Sequence, residues 1–305
     1  MREDQNHWLP AYLKLSPVAV SSQLTALRLA MESCVLCPRQ CRVNRLKGEK
    51  GFCAAPSEAV VSSFGPHYGE ERELVGESGS GTIFFSHCNL ECLFCQNWTI
   101  SRAVEGGVTE DSSALADRML YLQKLGCSNI NLVTPTPYIY QVARAIDLAA
   151  GRGLKLPVVY NCGGYESVEM IALLEGFIDI YMPDAKYGSD AAEARYSGVS
   201  DYYSRLKNAL AEMQRQVGDL QVDSKGLARR GLLVRHLVLP GDICNSEEIS
   251  RFLYEEISPH CAVNVMAQYH PAYRADAYPE LNRRISTAEY LAARSKFSEK
   301  KLRLL

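Results

Sequence analysis

The chain has 305 residues, 47% of them hydrophobic, enough to bury a large core as one barrel-sized domain plus an extension or as two small domains. Its formal net charge of −2 provides no global field that would draw it to nucleic acid or an anionic membrane. The opening residues, MREDQNHWLPAYLKL, mix acids and bases and lack the apolar core of a signal peptide, and no apolar run reaches the roughly 18 residues that span a bilayer.

Eleven cysteines are many for this length, and seven of them fall between Cys34 and Cys95. Without a secretory signal, such crowding points to metal binding in a reducing cytoplasm rather than to disulfides. The first four, Cys34, Cys37, Cys41 and Cys53, are spaced C-x2-C-x3-C-x11-C. Four thiolates can close a tetrahedral zinc site or ligate a cubane cluster. Arg39, Arg42, Arg45, Lys47 and Lys50 lie among them and would offset the charge of an anionic site. Residues 1–60 are therefore expected to form a Cys-rich metal-binding extension, and residues 61–305 the main domain with a C-terminal helix. The glycine-rich stretch 61–81 carries Glu70, Glu71 and Glu73, which could pair with a basic partner but are expected to face water.

From Gly81 onward, strand-like and helix-like segments alternate. GTIFFS (81–86) reads as a strand, followed by a cysteine loop and a helix from Asp111 or Ser112 to Leu125, ended by Gly126. Strands are expected at 129–134, 156–161, 177–182, 231–240 and 262–267. Helices are expected at 138–150, 167–174, 191–217 with a break near Gly198, 246–257, and from Thr287. The polar stretch 218–231 reads as a mobile loop. Apolar strands alternating with helices indicate a parallel sheet covered on both faces. Six such units suggest an incomplete (β/α)6 barrel, with a doubly wound open sheet as the alternative. Both architectures bind ligands at the carboxyl ends of their strands.

Those ends are polar: Thr134-Pro135-Thr136-Pro137 follows the second strand, Asn161-Cys162-Gly163-Gly164-Tyr165 the third and Asp184-Ala185-Lys186 the fourth. Pro240-Gly241-Asp242 follows the fifth, and Gln268-Tyr269-His270-Pro271 the sixth. The first strand leads into FFSHCNLECLFCQNW, where Cys88, Cys92 and Cys95 are spaced C-x3-C-x2-C with no fourth cysteine nearby. A zinc knuckle or an incomplete ferredoxin site is the structural alternative. Three thiolates on a four-iron cluster would leave one iron open, as catalytic metal centres require.

This motif resembles that of the radical S-adenosylmethionine (radical SAM) superfamily, whose fold is an incomplete TIM-type barrel. The resemblance implies a [4Fe-4S] cluster on Cys88, Cys92 and Cys95, with SAM chelating the open iron, and Phe94 placed against the adenine. The order of rim motifs is similar to that of the pyruvate formate-lyase activating enzyme group and its uncharacterised iron-sulfur relatives, over about Gly81 to Pro271. That likeness implies Asn161, Asp184, Lys186 and His270 as further SAM contacts. It also implies an electron donor such as flavodoxin or ferredoxin, and a substrate that is a protein glycyl site, a peptide or a small molecule. One departure stands out. The group's Gly-Gly-Glu after the second strand is replaced by Thr134, Pro135 and Thr136, so the threonine hydroxyls are expected as neutral acceptors for the SAM amino group. A non-catalytic metal-binding or electron-transfer protein is the competing reading. The Gln96-Asn97 that follows Cys95, in place of the Cys-Pro ending of a ferredoxin motif, argues against it.

Overall fold

The computed structural model describes residues 8–305, with residues 190 and 191 described by their backbone alone. Residues 1–7, where the absence of a signal peptide was expected, lie outside the described residues. In chain order the strands are β1 (Ala59–His67), β2 (Ser80–Phe85), β3 (Val108–Glu110), β4 (Ile130–Val133), β5 (Val158–Cys162), β6 (Ile180–Pro183), β7 (Gln221–Val222), β8 (Ala228–Leu237), β9 (Ala262–Met266) and β10 (Arg303–Leu304). The helices are α1 (Pro17–Leu29), α2 (Arg72–Val75), α3 (Trp98–Ser101), α4 (Ser112–Lys124), α5 (Ile139–Gly151), α6 (Val168–Ala172), α7 (Asp190–Ser197), α8 (Tyr202–Val217), α9 (Ser246–Phe252) and α10 (Thr287–Glu299).

The expected alternation is present, and its causes are local. Asp111 caps α4 by accepting the Ala114 N–H at 2.8 Å, and Ser286 and Glu289 close a reciprocal capping box on α10. The strands β4, β5 and β6 are buried at every position, as strands covered on both faces must be. β2, β4, β5, β6, β8 and β9 pair in parallel in that order. β1 and β3 add antiparallel strands at one edge, and β10 adds a parallel strand at the other.

The sheet curls. Glu71, in the connection between β1 and β2, accepts a hydrogen bond from Asn264 of β9 at 2.8 Å, although β9 lies at the far end of the parallel run. Alternate residues therefore point inward. Val159, Ile180, Met182 and Leu233 pack with Leu74 of α2 as a dry floor. The next inward residues, Phe84, Val133, Asn161, Asp184, Arg235, Leu237 and Met266, line a cavity at the carboxyl ends of the strands.

Several expectations change. Residues 218–231 are not a loop: β7 pairs antiparallel with β8, which begins at Ala228, three residues before the expected start. Residues 61–81 hold most of β1 and all of α2, and Glu70 and Glu71 turn inward instead of facing water. The helix expected at 246–257 is α-helical to Phe252 and ends in a π turn over Leu253–Ile257. β1 spans the division expected at residue 60. Tyr12, Leu24, Leu27, Met31 and Leu36 belong to the same core as the helices and strands that follow.

Candidate functional site

The cavity has a volume of about 610 Å³, within the range of small-molecule sites, and receives side chains from the carboxyl ends of β2, β4, β5, β8 and β9 and from Asp184 just after β6. Cys92, Phe94, Cys95, Asn161, Asp184, Lys186 and His270, all expected at the site, line it. Cys88 stands beside them, close enough that Cys92, Cys95 and Lys186 all act on its thiol electrostatically.

The cysteine loop leaves β2 through His87, whose φ of +70° lies in the left-handed region. It is latched to two other segments. The Leu93 N–H donates to the Tyr196 carbonyl at 2.8 Å, and the Arg274 N–H donates to the Leu93 carbonyl at 2.9 Å. Each thiol has a polar neighbour. The Leu90 N–H donates to Cys88 Sγ at 3.4 Å, the Ser197 hydroxyl donates to Cys92 Sγ at 3.0 Å, and Ser101 Oγ lies 3.3 Å from Cys95 Sγ. Burial, then the Cys92 charge, pushes the metal-free Cys88 thiol up to about 12. For Cys88 and Cys92 the neighbouring donors and Lys186 favour thiolate against burial, so a positively charged metal centre would complete a balance that these free thiols lack. Phe94 is buried edge-on against Tyr187 and Tyr269.

Opposite the thiols lies a charged network. Asp184 holds Lys186 Nζ at 2.6 Å through one oxygen and Arg235 Nε at 3.0 Å through the other. Arg235 also donates to Asn161 Oδ1 at 2.8 Å and lies 3.6 Å from Glu70, which in turn lies 3.2 Å from His67. Burial favours a neutral Asp184, but Lys186 and then Arg235 outweigh it and hold the carboxyl below its ordinary range. For Lys186 burial is likewise overcome by Asp184, and its pKa is raised. Glu70 is raised, because burial exceeds the pull of Arg235. Asp184 and Lys186 thus pair with each other and still face the cavity.

Arg235, Glu70 and His67 were not anticipated. Arg235 left a signal, a charge inside the apolar strand GLLVRHLVLP. Glu70 and His67 left none, because their placement follows from the curl of the sheet.

The threonines are a correction. Thr136 is buried and donates its hydroxyl to Glu166 at 2.7 Å, so it does not face the cavity as an acceptor. Glu166 also takes the Tyr160 hydroxyl at 3.2 Å, and burial lifts its pKa to about 7. Thr134 adopts φ +61° and donates its N–H to the Asn161 carbonyl at 2.8 Å. Cys162 is buried on the Glu166 side, outside the cavity.

The N-terminal cysteines form a separate group. The charges of Cys53 and Cys34 act on Cys37, and those of Cys34 and Cys41 act on Cys53. Burial pushes Cys37 up to about 12 and raises Cys53, opposed by N–H donors from Arg39 and Ala55. The Phe52 N–H donates to Cys41 Sγ at 3.3 Å. A Cβ at Gly51 would lie 2.7 Å from Cys41 Cβ, so only glycine permits that approach. Among the described residues, no three His, Cys, Asp or Glu side chains converge as a single-ion site, in either cysteine group.

No protein-family model matches the chain. It is 33% identical over 267 residues to the uncharacterized protein MJ0674 of Methanocaldococcus jannaschii, covering 85% of this chain and 72% of that protein. The chain belongs to the MJ0674 family. A second protein of that organism, the uncharacterized MJ0808, is 21% identical over 265 residues, covering 81% of this chain and 73% of that protein. Among solved structures, a radical SAM methyltransferase from Sphaerobacter thermophilus superposes with a TM-score of 0.51 at 14% identity, over 73% of this chain and 65% of that one. The FeFe-hydrogenase maturase HydG from Carboxydothermus hydrogenoformans gives a TM-score of 0.51 at 11% identity, over 72% of this chain and 51% of that one. The mixed α/β fold with its large parallel sheet is thus shared with radical SAM enzymes, and the chain spans about two-thirds of the methyltransferase and half of HydG. Among the described residues no helix is long and apolar enough to cross a membrane.

Proposed function

We propose that this MJ0674-family member is a radical SAM enzyme. The observation that carries the reading is the placement of Cys92 and Cys95, with Cys88 beside them, at the head of a cavity lined by six strand ends and containing no other cysteine among its described lining. The donor set fits a [4Fe-4S] cluster, because three thiolates can each take one iron of a cubane and leave the fourth open. When bound, the cluster supplies the electron that cleaves SAM to methionine and a 5'-deoxyadenosyl radical, which abstracts hydrogen from the substrate.

The protein's own residues bind and orient. Phe94 offers an aromatic wall for the adenine, and His270, held 3.2 Å from Gln96 Nε2, borders the same end. Asn161, Asp184 and Lys186 offer polar groups to the methionine and ribose portions. Arg235 orients the Asp184 carboxylate and the Asn161 amide, so neither is free to turn away. The six parallel strands act as an incomplete barrel whose curl brings these groups together.

The second group, Cys34, Cys37, Cys41 and Cys53, holds an auxiliary cluster in a structural role, since its thiols do not converge as a single zinc ion would require. A flavodoxin or ferredoxin supplies electrons in a reducing cytoplasm. The substrate is a protein glycyl site, a peptide or a small molecule. The order of rim motifs favours the activating-enzyme type.

Anaerobic reconstitution with iron and sulfide, followed by dithionite and SAM, tests the reading. The expected products are 5'-deoxyadenosine and methionine, lost when Cys88, Cys92 or Cys95 is replaced by alanine. A reconstituted wild-type protein that binds iron but leaves SAM intact would assign it instead to electron transfer.

A further inference from the structure

The N-terminal cysteine segment touches the cysteine loop on both sides of Cys88. On the preceding side, His87 Nδ1–H donates to the Cys53 carbonyl at 2.8 Å. On the following side, the Asn89 carbonyl accepts the Arg39 Nε–H at 2.6 Å. Arg39 is itself well held. Its Nη2 donates to the Gly198 carbonyl at 3.0 Å, and its guanidinium lies 3.3 Å from the centre of the Phe52 ring. Arg39 stands between Cys37 and Cys41, and Phe52 immediately precedes Cys53. The Asn89 side chain donates to the Tyr165 carbonyl at 2.6 Å, tying the same turn to the loop after β5.

His87 lies in the left-handed backbone region, which costs a non-glycine residue energy and persists where its surroundings over-determine it. The surroundings here are the Cys53 carbonyl at the ring and the Ile100 carbonyl, which accepts the His87 N–H at 3.0 Å. A planar guanidinium suits the other side, because its fixed fork reaches the Asn89 and Gly198 carbonyls together.

We propose that the segment from Cys37 to Cys53 is a brace that sets the position of Cys88, with Arg39 and His87 as its positioning residues. Its catalytic consequence rests on the reading of Cys88 as a cluster ligand; its geometry does not. The two cysteine groups are thereby joined mechanically, and any metal that orders the first also steadies the second.

The test uses the full chain, iron-free and reduced, with the rate of iodoacetamide labelling at each cysteine read by mass spectrometry. Arg39→Ala and His87→Ala should each raise the rate at Cys88 relative to Cys95 by roughly tenfold, the size of one lost hydrogen bond to a strong donor. His87→Asn should restore most of the wild-type ratio, because asparagine tolerates the left-handed region and retains an N–H donor. An unchanged ratio in both alanine variants overturns the brace. So does a rise shared equally by Cys95, Cys127 and Cys261, which marks loss of fold rather than of position. Failure of wild-type protein to assemble a cluster on Cys88, Cys92 and Cys95 would count against the proposed function and leave the labelling result standing.

Discussion

Arg235 Nε lies 3.0 Å from Asp184 Oδ1, joining the carboxyl ends of the neighbouring strands β8 and β6 along the cavity wall. The other Asp184 oxygen is taken by Lys186, so one carboxylate is shared between two cations. Sharing keeps a buried negative charge ionised and fixes its direction, as a polar contact to a charged ligand requires.

Arg235→Met should therefore cost about 3 kcal/mol of stability, the scale of breaking a largely buried pair by removing one partner. Asp184→Asn should cost less in the Arg235→Met background than alone, with a coupling of at least ~1 kcal/mol. Urea unfolding of the four proteins measures both quantities. A coupling near zero would show that Lys186 alone orients Asp184.

Glu166 makes a pH-dependent contribution. Its folded pKa of about 7 lies above the ordinary 4.5, with burial as the leading cause. Between those values the native state keeps a proton that the unfolded chain has released, so stability falls as pH rises through this window. The contribution is complete below about pH 4.5 and lost above 7. Glu166→Gln should be more stable than wild type at pH 8 by on the order of 3 kcal/mol, the two converging toward pH 4.5. Burial lifts Asp179 to about 7 as well, but its slope is common to both proteins and cancels in the comparison. Denaturation curves from pH 4.5 to 8 that remain parallel would refute this assignment.

Thr136→Val removes a donor from Glu166 and nothing from the cavity. It should cost about 1–3 kcal/mol of stability, while weakening SAM binding less than Asp184→Asn does. Calorimetric titration of the cluster-loaded variants ranks the two, and the reverse order would return Thr136 to the SAM site.

Gly164 has φ +81°, and a Cβ there would lie 2.2 Å from the Asp184 carbonyl oxygen. Tyr202 OH sits at the same junction, donating to that carbonyl at 2.7 Å and accepting the Lys186 N–H at 3.0 Å. Gly164→Ala should lower stability by more than about 2 kcal/mol and displace Asp184 and Lys186 together. Thermal unfolding and SAM titration would both register it. Unchanged values in both would mean that the junction yields without cost.

The separateness of the two cysteine groups is also testable. Replacing Cys88, Cys92 and Cys95 together should leave about four irons on Cys34, Cys37, Cys41 and Cys53. Metal analysis finding no iron would remove the N-terminal site.

Period and capping made most elements readable in the linear chain. α4 begins where Asp111 announced it, and the parallel strands appeared as apolar runs because each is buried on both faces. The cysteine motif, the D-x-K turn after β6 and the residues that follow β9 were readable because their chemistry is local in sequence. β1 was missed because its residues Ser62, Ser63, Gly65 and Pro66 weaken the strand pattern, and pairing with β2 overrides it. β7 was missed because a two-residue strand has no period of its own.

Tertiary structure alone decided the environment of each charge. Glu70 and Arg235 are separated by 165 positions and meet because the sheet curls, a long-range consequence that no local pattern encodes. Thr136 and Glu166 pair across the ends of β4 and β5, which turned an expected ligand contact into a buried structural one. Local spacing settled which residues are candidates for the chemistry, because secondary structure and metal-ligand motifs are short-range. The curvature of the sheet settled which of them face one another, because that depends on packing the whole core.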